Sequence, residues 1–301
     1  MKMPSDTIVS KPGKGTDTEQ TQPKILIHDS NQMARILHVN KFSRSGTIDR
    51  VLKVLELVQS TKHTTVPECF DQFSPEHPTK PPHRPTLTED QRRIVERRQI
   101  PNVWIIDTEF ANLKGQGNRY DLSVNITNLI SGETIVNHRL ELPISVDALE
   151  EMVGSSGLWQ ARRQFEIHYR QPCNMPIVTP RELVRLLRDG RFGPRDFIFV
   201  WASSNIDYHV VNKFLARREL QHHLMPPEEN VVKVFRAWKE LLPKVSCSLK
   251  KLFSLVFPQS PLRYVHHTAD VDTKKLGLMT WKLRDLSYAT DGQRTEVDFC
   301  M

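Results

Sequence analysis

The chain has 301 residues, 38% hydrophobic and 26% charged, which suits one large domain carrying a polar extension. Lys plus Arg outnumber Asp plus Glu by 42 to 35, a formal charge of +7 that points toward a polyanionic partner such as nucleic acid. Cys69, Cys173, Cys247 and Cys300 are scattered without a CxxC pair, which argues against a zinc or redox motif, and no apolar run approaches the ~18–20 residues of a membrane span.

In chain order, residues 1–100 read as a largely disordered, Pro-rich N-terminal extension. The opening "MKMPSDTIVSKPGKGTDTEQ" lacks the apolar core of a signal peptide. The expected setting is therefore intracellular and reducing, cytoplasmic or nuclear, with no membrane. Within "GTIDRVLKVLELVQ", Ile48, Val51, Leu52, Leu55 and Val58 recur at helical spacing and predict an amphipathic helix over 47–59. Its apolar face suits either a protein partner or the back of the following domain. "PEHPTKPPHRP" then places five prolines in eleven residues, a stiff connector unsuited to helix or central sheet.

Residues 101–290 carry the pattern of an α/β domain, followed by a flexible tail over 291–301. Residues 102–110 predict a strand, and "YDLSVNITNL", "SGE" and "TIVNHRLEL" predict strand, turn and strand, giving an antiparallel three-stranded meander. "SVDALEEMV" and "GLWQARRQFEIHYRQ" read as helices. In "TPRELVRLLRDG", Thr179 is the N-cap, Pro180 the first helical residue, Glu182 the capping-box partner and Gly190 the stop. "DFIFVWA" is a buried strand, "NIDYHVVNKFLARREL" a helix, and "ENVVKVFRAWKELL", "SLKKLFSLVF" and "TADVDTKKLGLMTWKLRDL" form a helical C-terminal section. The sum is a mixed central sheet flanked by helices.

Acidic residues interrupt this pattern at three places. In "VWIIDTEF", Asp107 and Glu109 sit two apart on a strand and so project from one face, where their charges would repel unless a cation offsets them. Oxygen ligands of that kind select Mg²⁺ or Mn²⁺. Asp207 opens a helix just after a buried strand, and "HHTADVD" sets His267 five residues before Asp272. Each has an ordinary alternative alone: a solvated strand face, a helix-dipole acid, a surface histidine.

Together, Asp107 with Glu109, then Asp207, then His267 with Asp272, resemble the three motifs of the DEDDh group of DnaQ-like 3′-to-5′ exonucleases, across about residues 101–290. "HTADVD" matches the HxAxxD form of the histidine subgroup, and position 268 is Thr where the tyrosine subgroup has Tyr. The chain departs from many members in carrying "FANLKGQG" in place of an early Thr-Gly and Ser203 four residues before Asp207.

The resemblance implies an RNase H-like fold and two Mg²⁺ or Mn²⁺ ions held by Asp107, Glu109, Asp207 and Asp272. It also implies His267 as general base, acting on the 3′ end of single-stranded RNA or DNA. Arg162, Arg163, Tyr169 and Arg170 in "GLWQARRQFEIHYRQ" have the mixture of cations and rings that binds nucleic acid, a mixture that a helix with an apolar inner face and a solvated basic outer face also shows. Two other readings share these residues: an inactive nuclease fold that binds nucleic acid or scaffolds a complex, and a metal-dependent phosphohydrolase acting on nucleotides.

Overall fold

Alternation along "VWIIDTEF" organises the domain. In the computed structural model, which describes residues 46–59, 101–113, 118–171, 175–202, 204–217, 224–243, 245, 248–265 and 268–298, this segment is part of the central strand β1 (Val103–Leu113). Val103 and Ile105 are buried in one apolar layer, Trp104 and Ile106 in the layer on the opposite face. A two-residue period thus sorts one strand's side chains between two cores.

β1 pairs antiparallel with β2 (Asn118–Asn128), which pairs antiparallel with β3 (Thr134–Leu140). The turn between β2 and β3 is held by Asn128, whose Oδ1 accepts from the backbone N–H groups of Ile130 and Ser131 at 2.9 Å each, and by Gly132 at φ 70°. Beyond β3 lies the short β4 (Ile177–Val178). On the other side of β1, β5 (Phe197–Val200) and β6 (Val231–Lys233) continue the sheet in parallel, so the order is β4-β3-β2-β1-β5-β6.

Helix α1 (Gly46–Gln59) buries Ile48, Val51, Leu52, Val54 and Leu55 in the Val103/Ile105 core. α6 (Val234–Leu241), α7 (Leu249–Val256) and α8 (Ala269–Asp298) contribute to the same layer. The apolar face of α1 is therefore used inside the domain. α8 enters the segment 291–301 that reads as a tail in the sequence; residues 299–301 lie outside the described residues.

The opposite layer is built from α4 (Pro180–Asp189) and α5 (Ile206–Ala216). A third apolar cluster sits past a register shift between Glu109 and Phe110, under α2 (Val146–Ser155) and α3 (Trp159–Phe165). No described helix is long and apolar enough to cross a membrane.

Three local readings are corrected. "ENVVKVFRAWKELL" is not one helix: Val231 and Val232 belong to edge strand β6, where β-branched side chains pair with β5, and α6 begins only at Val234. "EIHYR" continues α3 as a π-helical turn. Gly190 does follow the capping-box helix, but with right-handed φ of −74°; the left-handed residue is Arg191 at 61°. Glycine at 190 is a matter of space, since a Cβ there would fall 2.7 Å from Ile135 Cδ1 and Cγ2.

Candidate metal centre

The last β1–β5 pair is Ile105 with Phe199, so β1 runs on past the end of its parallel neighbour just where Asp107 to Glu109 begin. In open sheets the region beyond the carboxyl ends of parallel strands is where ligands bind. Asp107 and Glu109 continue the Val103/Ile105 face, the face covered by α8. α8 is pinned to the sheet by Thr273, whose Oγ1 donates to Asn125 Oδ1 at 2.9 Å, and Asn125 is the β2 partner of Asp107. That bond fixes the neighbouring Asp272 opposite the strand. One carboxylate oxygen from each of Asp107, Glu109 and Asp272 lies within 4.8 Å of the others.

Asp207 reaches the strand from the α5 side. Thr108 points to the opposite face from its two acidic neighbours, and Asp207 Oδ1 accepts from its backbone N–H at 3.1 Å and its Oγ1 at 2.7 Å. The open edge of β1 is satisfied by a carboxylate where β5 no longer reaches. Asp207 is thus beside the three-carboxylate cluster, held by Thr108.

Crowding has electrostatic consequences. Burial, then the charges of Asp207, Glu109 and Asp272, hold the Asp107 carboxyl well above the usual range, with Lys275 opposing. Burial followed by Asp272 and Asp207 pushes Glu109 up to about 8, against Lys275 and a hydrogen bond from Gln164. Burial pushes Asp207 up to about 6, against the Thr108 bonds and the charge of Arg119. Lys275 and Arg119 thus offset only part of what burial and neighbouring charge impose on these carboxylates.

Three side chains that the sequence did not single out organise the cluster. Lys275, fully buried one turn after Asp272, donates to Asp272 Oδ1 at 2.9 Å and to the carbonyl of Val265. Gln164 Nε2 donates to Glu109 Oε2 at 2.9 Å. Buried His168, in the π-helical turn, lies 2.8 Å from both the Gln164 carbonyl and Ser123 Oγ. A carbonyl only accepts, so Nδ1 carries the proton and Nε2 accepts from Ser123. Burial lowers the His168 pKa, which favours this neutral ring. Only the i,i+3 spacing of Lys275 to Asp272 hinted at any of these contacts.

A divalent cation fits this donor set: hard oxygens converge, their charges are under-compensated, and Gln164 Oε1 is buried beside Glu109 without a partner among the described residues. His267 and Ser203 lie outside the described residues. Of the proposed nucleic-acid contacts, Arg162 and Arg163 are exposed on α3. Arg170 forks onto Glu150, and Tyr169 stacks on Phe165, 5.4 Å between centroids, beneath Arg139.

A three-stranded meander extended by parallel strands, with helices on both faces and acids at the end of the central strand, has the architecture expected from the sequence. The fold is RNase H-like. No protein-family model matches the chain, and no curated protein matches it. Among solved structures, the chain is similar to the Neurospora crassa Pan2 catalytic unit, containing a protease and a nuclease domain, at a TM-score of 0.42 and 12% identity. That likeness covers 67% of this chain, which spans 30% of the other. The six-stranded mixed sheet carries its acidic cluster on the face covered by α8, with Asp207 at the open edge of β1.

Proposed function

We propose that this chain is a metal-dependent 3′-to-5′ exonuclease acting on single-stranded RNA or DNA. The observation that carries the reading is the convergence of Asp107, Glu109 and Asp272 within 4.8 Å at the end of the central strand. Together with Asp207 they would hold two Mg²⁺ or Mn²⁺ ions, which when bound supply charge neutralisation for the carboxylates and for the phosphoryl oxygens.

The chain's own residues supply the rest. His267, five residues before Asp272, takes the proton of the attacking water. The water oxygen bonds to phosphorus as the bond from phosphorus to the 3′ oxygen breaks, and that oxygen is protonated from solvent. Lys275 keeps Asp272 oriented, Gln164 does the same for Glu109, and Thr108 for Asp207. Arg162 and Arg163 offer cations for the phosphates of the approaching strand.

The test incubates 5′-labelled single-stranded RNA and DNA with the protein in Mg²⁺ or Mn²⁺, beside Asp107→Asn and an EDTA control. A ladder shortening from the 3′ end, lost in the variant and in EDTA, is the expected result. Tight binding without cleavage in either metal would refute the enzymatic reading and leave a nucleic-acid-binding nuclease fold.

A further inference from the structure

An unbroken two-residue period along β2 would put Asn125, Ser123, Asp121 and Arg119 on one face. Asn125 and Ser123 do pair with Asp107 and Glu109, and they meet Thr273 of α8 and His168 on that face. The register shift then intervenes. Glu109 pairs with Ser123, but the next residue, Phe110, pairs with Asp121, which leaves Leu122 as an extra residue in β2. Such a bulge re-aims the side chains that follow it. Leu122 joins the apolar cluster of Ala111 and Leu113, while Asp121 and Arg119 come to lie with Phe110 on the opposite face, the face of Thr108 and Asp207.

Contacts fix that placement. The Arg119 guanidinium lies 3.7 Å from the centroid of the Phe110 ring, and its Nε donates to Asp121 Oδ1 at 2.9 Å. Phe110 is the next residue after Thr108 on that face, roughly 6.5 Å along the strand, and Thr108 holds Asp207. This stretch of β1 lies past the end of β5. The Arg119 charge reaches the site, since it opposes the rise of the Asp207 carboxyl.

The ion pair does not exhaust the guanidinium. Asp121 takes Nε, whereas Nη2 is buried without a hydrogen-bond partner among the described residues, and 25% of the side chain's surface remains exposed. A buried N–H without an acceptor is costly. A guanidinium that served Asp121 alone would close a two-pronged bond with it. Stacking on Phe110 and the bond to Asp121 instead pin the fork with donors to spare, the arrangement that captures a phosphate.

We propose that Arg119 is a phosphate clamp, turned by the β2 bulge toward the Asp207 side of the acidic cluster, where it holds a backbone phosphate of the bound strand. This rests on the exonuclease reading and deepens it. Carboxylates at the end of β1 repel a polyanion; bound metal ions offset that repulsion within the cluster, and Arg119 offsets it at the flank.

The test measures binding of a short fluorescent single-stranded oligonucleotide to the full chain in Ca²⁺ at several salt concentrations, with strand integrity checked on a gel. Arg119→Gln leaves Asp121 unpaired and changes the net charge, so the deciding variant is Arg119→Gln combined with Asp121→Asn, which keeps the net charge and lets the two amides pair. The clamp predicts that this double variant raises Kd by about 10- to 150-fold, the range of one lost hydrogen bond to a charged group. It also predicts that the slope of log K against log salt becomes shallower by about 0.7, one phosphate contact on a single strand. Arg119→Lys should keep the slope, because the charge remains. A residue that only balances Asp121 would leave both Kd and slope of the double variant unchanged. Kd within about twofold and an unaltered slope, while the unaltered protein binds, would overturn the clamp and leave the exonuclease reading standing. If the unaltered protein neither binds nor cuts a single strand, both fall together.

Discussion

Replacing Glu109 by Gln removes a charge from the most crowded part of the molecule while retaining the side chain's shape. The carbonyl of the new amide can still accept from Gln164 Nε2, the contact now made at 2.9 Å. In the metal-free protein, Glu109 is pushed from 4.5 up to about 8. Between those values the folded chain holds a proton that the unfolded chain has released, so folding stability falls as pH rises. The penalty is absent below the unfolded value and complete above the folded one. At 1.36 kcal/mol per unit it amounts to about 4–5 kcal/mol.

Glu109→Gln should therefore match the unaltered protein near pH 4.5 and exceed it by several kcal/mol at pH 9, in EDTA. The assay is urea denaturation across that range. Mn²⁺ should narrow that gap, because binding to the folded state alone contributes about 2.7 kcal/mol at one hundred times Kd and the variant has lost a ligand. Parallel pH profiles for the two proteins in EDTA would refute the claim that Glu109 is held unfavourably in the fold.

Two further substitutions probe the frame around the site. Leu55 is fully buried in the core shared by α1, β1 and α8, so Leu55→Ala should cost about 2–5 kcal/mol in chemical denaturation; a negligible loss would mean that α1 is not integral to the domain. Thr108→Val deletes the 2.7 Å donation to Asp207 while leaving the backbone bond. It should raise the Asp207 pKa further above about 6 and destabilise the protein by about 1.5–3 kcal/mol at pH 8, with little effect near pH 4; equal losses at both pH values would show that the hydroxyl does not serve the carboxylate.

Local features were legible where the controlling physics is local. The capping box of Thr179 and Glu182 involves residues three apart, and the structure has both of its hydrogen bonds. The β2–β3 turn needed only Asn128 and a glycine with positive φ. By contrast, "ENVVKV" has apolar spacing compatible with a helix, and pairing of Val231 and Val232 with β5 decided for a strand. Gly190 reads as a helix stop, yet its constraint comes from Ile135, fifty-five positions earlier in the chain.

The candidate site divides along the same line. A strand's two-residue period alone dictates that Asp107 and Glu109 share a face with Val103 and Ile105 while Thr108 turns the other way. The sequence by itself thus determined a pair of like charges beside an apolar layer. That Asp272 completes the cluster depends on α8 docking through Thr273 and Asn125, 148 residues apart. That Asp207 lies at the strand's edge depends on β5 stopping at Val200, and that Lys275 and Gln164 touch the carboxylates depends on helix packing. Periodicity sets which way a side chain leaves its own backbone; what it meets is set by burial of distant apolar faces, which no short stretch encodes.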